Sequence, residues 1–405
     1  MDNSRENKSR AIPRRRLGRT GLMITCLGLG GMGVMNRCHS QESAVEVVTT
    51  AIDMGINFID TARGYFDSEK IIGQALTERP GKAYITTKTY MRSASGASKE
   101  IETSLRTLQQ KKIPLIQIHH LQYKEEFERI TAPGGAMEAI RSFQKQGLID
   151  HVGVSTHNPR IICEILQSDL FDTVQIPFSP VERDHFEKIR EVARQRDIGI
   201  IAMKPLSGGH IKSVEEALGF ILSHREVSTV IPGCSTTDEV CRDVEAVLNL
   251  GEITDEHRRD IIQQLREIPD QFCRRCRYCE HRCPENIPIA DIFRCENYLI
   301  LSATYARQEH RKLPRHFNQC RDCGECEKIC PYHLPVRKML RQAEIRLRRG
   351  WLEDAGVTLL RKIGLYDLGR RVYFALGGKI PDRFALKENE DDSPRNSKDK
   401  QQEGL

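Results

Sequence analysis

The sequence predicts an α/β fold, a TIM (β/α)8 barrel over residues 17–265, followed by a small, mainly helical, cysteine-rich unit over 266–350. Two observations predict it. Short apolar runs alternate with amphipathic helical stretches through about 250 residues, which is the length and rhythm of an eight-stranded barrel. The alternation then stops, and one cysteine spacing is written twice, as CRRCRYCEHRCP at 273–284 and CRDCGECEKICP at 320–331.

Eight strands are expected in order, at 24–29, 57–60, 84–88, 115–119, 151–155, 173–176, 198–203 and 229–231. Each is followed by a helical pattern. Ser40 is placed to cap the first helix, where Ala44, Val47, Val48 and Ala51 share a face and Gly55 ends the run. Pro159 sits in the first turn of another, ahead of Ile161, Ile162, Ile165 and Leu166. Gly28, Gly30 and Gly33 match G-x-G-x-x-G after a strand, the pattern of a dinucleotide-binding turn. That turn requires the glycines to open a helix, whereas here the next helix begins only after Ser40, so the glycines read as a loop.

Each cysteine run is C-x2-C-x2-C-x3-C-P, the spacing that holds a pair of cubane clusters, with the fourth cysteine of each run ligating the other run's cluster. Cys273, Cys276, Cys279 and Cys330 would hold one 4Fe-4S cluster, and Cys320, Cys323, Cys326 and Cys283 the second. Zinc is the rival ligand for repeated C-x2-C pairs, but its sites seldom use this run of three, a fourth and a proline. A disulfide framework does not suit so long a chain. The repeat extends past the thiols, since CPENIPI at 283–289 is echoed by CPYHLPV at 330–336, each leading into a helix. This unit resembles the helical dicluster ferredoxin domains of respiratory iron-sulfur subunits. Of the 14 cysteines, Cys26, Cys38, Cys163, Cys234, Cys241 and Cys295 lie outside the runs and read as free thiols.

The 405 residues are 39% hydrophobic and 29% charged, enough for a core and a well-solvated surface. No stretch has transmembrane length, and the basic start, 1–16, has no apolar run behind it, so a cytoplasmic location is expected. The net charge of +6 is mild, and no nucleic-acid partner is expected. Basic residues concentrate after Arg337, in a helical extension expected over 351–387. The polar stretch 388–405 reads as a disordered tail.

Function in such a barrel sits at the C-terminal ends of its strands. FIDTARGY at 58–65 puts Asp60 at the end of the second strand with Tyr65 just beyond, Lys88 ends the third, and His119, with His120 beside it as the alternative, ends the fourth. A phenol is a weak acid at neutral pH, and a close ammonium would stabilise the phenolate and bring its pKa toward the working range. Asp60 would hold Lys88, and His119 would orient a carbonyl oxygen beside the tyrosine.

These residues stand within RRLGRTGLMITCLGLGGMG, FIDTARGYFDSEKIIGQAL, TTK, QIHH, GVSTHN, MKPLSGG and IPG, and over 14–250 the chain resembles the aldo-keto reductases. The resemblance implies a catalytic tetrad of Asp60, Tyr65, Lys88 and His119, with Tyr65 as general acid and a nicotinamide, NAD or NADP, as hydride carrier. It implies that Ser155, Thr156 and Gln175 bind the carboxamide, that Pro205, Leu206 and Gly208 lie along the pyrophosphate, and that Gly233 stands near the 2′-phosphate. At that last site the family carries basic residues, where this chain has Gly233 and Glu239, so the choice between NAD and NADP stays open. The family's long substrate loops are missing, which predicts an open pocket. Two functions follow: oxidation or reduction of a small carbonyl or alcohol, with the clusters serving a ferredoxin- or flavodoxin-like electron partner, or a non-catalytic nicotinamide-sensing or electron-transfer protein whose barrel docks a redox partner.

Overall fold

The computed structural model describes residues 11–34, 38, 40–251, 254–264, 272–300, 302–348, 359, 360, 365 and 368. The expected helical extension lies almost wholly outside these residues, and the tail does so entirely. Ten strands are present among them: β1 (Arg14–Arg16), β2 (Met23–Thr25), β3 (Leu29–Gly30), β4 (Phe58–Asp60), β5 (Tyr84–Thr89), β6 (Ile113–Ile118), β7 (Ile149–Ser155), β8 (Thr173–Pro177), β9 (Gly199–Met203) and β10 (Val227–Ile231). The last eight form one parallel sheet in sequence order, and parallel bridges Leu27↔Val230 and Gly30↔Gly233 close it into a barrel.

The expected first strand, 24–29, is two pieces. Met23–Thr25 pairs antiparallel with β1 as a hairpin, and only Leu29–Gly30 joins the barrel. The break has a local cause. Asn57 Oδ1 accepts the Thr25 N–H at 2.6 Å, and the Thr25 hydroxyl donates to Leu27 O at 2.7 Å, which turns the chain between the two. The hairpin then stoppers the barrel, because Leu17 and Ile24 pack with Phe58, Leu115, Ile201, Met203 and Ile231 inside it.

The glycine triplet serves closure. A Cβ on Gly30 would sit 2.9 Å from Ile231 O, and one on Gly33 would sit 2.4 Å from Cys234 O, so two backbones meet where side chains would keep them apart. The helix that follows is α1 (Gln41–Asp53), capped by Ser40 and Ser43 in a reciprocal box. None of the three glycines opens a helix, as expected, but Gly30 lies in β3 and not in a loop.

Around the sheet run α2 (Ser68–Glu78), α3 (Ala94–Thr107), α4 (Lys124–Thr131), α5 (Ala136–Lys145), α6 (Pro159–Gln167), α7 (Phe186–Gln195), α8 (Val214–Leu222) and α9 (Thr237–Leu248), with α10 (Asp255–Gln264) behind them. Their apolar faces and the outward side chains of the strands form the main core. No helix among the described residues is long and apolar enough to cross a membrane.

The C-terminal unit is built from α11 (Ile289–Asn297), α12 (Ala303–Arg311), the short α13 (Glu325–Lys328) and α14 (Val336–Arg348). Its core of Ile292, Phe293, Tyr305, Leu340 and Leu347 is continuous with Ala62 and Tyr65 of the barrel. Barrel and cysteine-rich unit therefore share one apolar cluster, which lies over the ends of the strands.

Candidate active site

The strand ends bring the four expected residues into one cleft. Lys88, on β5, donates to Asp60 Oδ1 at 2.5 Å and to Thr61 O at 2.7 Å, with both side chains buried. Its Nζ lies 5.1 Å from the centroid of the Tyr65 ring. His119, the residue after β6, meets Tyr65 edge to face at 5.5 Å between ring centroids, and Tyr90 covers it at 4.1 Å. Asp60, Tyr65 and His119 line the cleft, and Lys88 stands behind Asp60.

The electrostatics correct one expectation. Burial pushes the Tyr65 hydroxyl well above its usual pKa, and the nearby Asp60 pushes it the same way. The Lys88 ammonium is committed to Asp60 and the Thr61 carbonyl, so its charge is not spent on the phenol. Tyr65 is therefore a protonated phenol, a donor and not a phenolate. Burial also lowers Lys88 and raises Asp60, each against the attraction of the other. His119 is held well below its ordinary value by burial and by Lys88, so it is a neutral imidazole whose Nδ1 has no partner among the described residues.

Of the residues expected at a nicotinamide, Ser155, Gln175, Pro205, Leu206, Gly208 and Gly233 line the cleft, and Thr156 does not. Thr156 is turned away, its hydroxyl donating to Leu121 O at 2.6 Å. Gln175 is held by its neighbours, since its Oε1 accepts from Gln117 at 2.8 Å and its side chain bonds Asp60. Ser155 Oγ accepts the His120 N–H at 3.0 Å, which leaves its hydroxyl proton for a ligand. That spare donor and the unpartnered His119 Nδ1 fit a polar, planar group between the strand ends.

The cleft is not built from the barrel alone. Arg275, Asn297, Tyr298 and Tyr305 of the cysteine-rich unit line the same cleft and roof it. Where long barrel loops are lacking, the second unit takes their place. Sequence reasoning missed Tyr90, His157 and Lys204 as well. Lys204 follows β9 within the MKPLSGG string, so its place at a strand end was legible. Its Nζ lies 4.6 Å over the Tyr298 ring, and burial with Arg275 close by holds it well below the usual lysine range.

The cysteines fall into two separate small cavities. Cys273, Cys276, Cys279 and Cys330 line one, and Cys283, Cys320, Cys323 and Cys326 line the other. Each cavity draws three thiols from one run and the fourth from the other. Burial pushes the Cys273 thiol up to about 12 and Cys276 up to about 11. Four sulfur donors around one cavity fit a cubane cluster. Cys295 lines neither cavity and is a buried thiol in the shared core.

Residues 26–217 match the model of the aldo/keto reductase family, and residues 272–335 match that of a 4Fe-4S dicluster domain. Over 26–217 the barrel is similar to the aldo/keto reductases. An uncharacterized oxidoreductase of Schizosaccharomyces pombe is 28% identical, over 56% of this chain and 82% of its own. A 6-dehydroglucose reductase of Novosphingobium aromaticivorans is 27% identical, over 55% of this chain and 80% of its own. In fold, the holo form of an aldo-keto reductase of Bacillus halodurans superposes with a TM-score of 0.55 at 24% identity, covering 63% of this chain and 96% of that one. The part of this chain that extends beyond the barrel includes the dicluster match, whose residues line the cleft.

Proposed function

We propose that this protein transfers hydride between a nicotinamide and a small carbonyl or alcohol, with two 4Fe-4S clusters held beside the cleft for electron exchange with a ferredoxin- or flavodoxin-like partner. The observation that carries the reading is the convergence of a protonated Tyr65, a neutral His119 and the Lys88–Asp60 pair at one set of strand ends.

Nicotinamide, when bound, supplies or accepts the hydride, and Ser155, Pro205, Leu206, Gly208 and Gly233 would hold it. The protein's own part is proton transfer and orientation. In reduction the Tyr65 hydroxyl gives its proton to the carbonyl oxygen as charge develops there, and in oxidation the phenolate takes it back. His119, being neutral, fixes that oxygen by a hydrogen bond without competing for the proton. Lys88 and Asp60, paired behind the tyrosine, fix the strand ends that position it.

The four-thiol cavities would hold the clusters, Cys273, Cys276, Cys279 and Cys330 in one and Cys283, Cys320, Cys323 and Cys326 in the other. The continuity of the dicluster core with Tyr65 favours a shared function over a tethered spare domain. The name of the Novosphingobium relative, a reductase of 6-dehydroglucose, falls in the same reaction class.

The test is Tyr65→Phe in the anaerobically purified chain, assayed with NADH and NADPH against small aldehydes and sugars. Loss of about 10²–10⁴-fold in kcat with cofactor binding kept is expected for removal of a general acid. Equal rates with and without the hydroxyl refute the proposal.

A further inference from the structure

We propose that His310, His316 and Glu344 form a divalent-metal site of the zinc class, distinct from both cysteine cavities. The three come from separate segments: His310 from the last turn of α12, His316 from the connector after it, and Glu344 from α14. Their ligand atoms all lie within 4.8 Å of one another. His310 Nε2 is 2.9 Å from Glu344 Oε2 and 3.3 Å from His316 Nδ1. In a tetrahedral site with bonds of about 2.0–2.1 Å, neighbouring ligand atoms are about 3.3 Å apart, close to the two separations that His310 makes.

Proton accounting favours a cation at the common focus. His310 Nε2 faces a carboxylate oxygen and another ring nitrogen at once, but a ring nitrogen carries only one proton or one lone pair. If it donates to Glu344, the His316 nitrogen is left to share the same hydrogen at a long distance. A metal ion gives both imidazole lone pairs and the carboxylate one partner. Two imidazoles and one carboxylate, with a fourth position open, suit zinc and its first-row neighbours and not magnesium or calcium.

The surroundings support the ligands. Arg348 Nε donates to Glu344 Oε1 at 2.7 Å, which turns the other oxygen toward the histidines, as outer-shell partners of ligands do. Gln319 Oε1 accepts the His316 backbone N–H at 3.1 Å and fixes the connector. His310 and Glu344 are buried, while His316 is half-buried and gives access. The surface cleft onto which His310 and His316 open is lined also by Arg307, Arg311 and Arg348. A bound metal would join α12 to α14 and hold the segment that leads into Cys320.

Titration of the full-length, cluster-loaded chain with zinc(II) and cobalt(II) tests the site, with iron and sulfide measured in parallel. One equivalent is expected to bind, with a cobalt spectrum of weak d–d bands and no thiolate charge-transfer band. His316→Ala is expected to weaken binding by about 10- to 100-fold or more, and Arg348→Ala, which removes no ligand, by about tenfold, both with iron content unchanged. If neither metal binds, if both variants bind as the parent does, or if the cobalt spectrum is that of thiolate ligation, the cluster is an ordinary ion pair with a histidine contact and the proposal fails.

Discussion

Arg275, between the first two cysteines of the first run, grips Glu182 of the barrel with two hydrogen bonds, Nε to Oε1 at 2.6 Å and Nη2 to Oε2 at 2.5 Å, and both side chains are buried. The pair bolts the cysteine-rich unit onto the barrel beside the cleft that Arg275 helps to line. Removing one partner of a buried pair strands the other charge, at a cost of about 3–5 kcal/mol. Glu182→Gln should therefore bleach the iron-sulfur chromophore at lower urea than the parent. Replacing both residues with methionine should recover much of that loss, because no charge is then stranded. A double variant as unstable as the single one would show that the pair does not dock the two units.

Most of this architecture was legible in the chain, for reasons that differ by region. The barrel strands from Phe58 to Ile231 are buried on both faces and so read as short apolar runs. The convergence of Asp60, Tyr65, Lys88 and His119 was legible because strand ends fix position and residue type together. The first strand was misread because Ile24 is as apolar as Leu29, yet it belongs to a hairpin, and the break that separates it from Leu29 depends on Asn57, far along the sequence. The roof over the cleft was not legible at all. Tyr298 and Tyr305 lie on helices whose pattern gives a buried face, but nothing local says that the face meets Tyr65. The fate of Thr156 was equally hidden, since a hydroxyl at a strand end reads the same whether it donates to a ligand or to Leu121 O.

The cleft should also be sensitive to acid. His119, His120 and His157 are all held well below the ordinary histidine pKa, first by burial and then by the cations Lys88, Arg294 and Lys204 respectively. Below about 6.5 the unfolded chain binds protons at these positions and the folded chain does not. Stability is therefore full above that pH and falls as the pH drops, by about 1.4 kcal/mol per unit for each histidine that stays neutral in the fold. Urea unfolding at pH 7.5, 6.0 and 5.0 should show this slope, and His157→Asn should reduce it. Comparing variant with parent cancels the acid lability that a bound cluster adds to both. An unchanged slope would mean that His157 takes up its proton in the folded state.

Cofactor choice should favour NADH over NADPH. The Glu239 carboxylate accepts the Ser235 N–H at 2.7 Å, next to the Gly233 loop that lines the cleft, where resemblance to the aldo-keto reductases puts a 2′-phosphate. A carboxylate near a dianion is repulsive, and Gly233 offers no cation in exchange. The ratio of kcat/KM for NADH to that for NADPH should exceed one and fall in Glu239→Gln, mainly through KM for NADPH. Equal use of both cofactors by parent and variant would remove Glu239 from the binding site.

The exchange of cysteines between the runs makes a prediction that a simple count of thiols does not. If each run held its own cluster, Cys273→Ser and Cys283→Ser would damage the same cluster, and Cys330→Ser a different one. The cavities group them otherwise, placing Cys330 with Cys273 and Cys283 with Cys320. A serine at one ligand that costs a cluster leaves nothing further to lose in that cavity, so effects within a cavity should not add, whereas effects across cavities should. Cys273→Ser with Cys330→Ser is therefore expected to retain about as much iron as either single variant, roughly half that of the parent. Cys273→Ser with Cys283→Ser should lose nearly all of it. Iron and sulfide analysis on anaerobically purified chains, with electron paramagnetic resonance of the reduced proteins, separates the two schemes, and the opposite pattern of additivity would assign one cluster to each run.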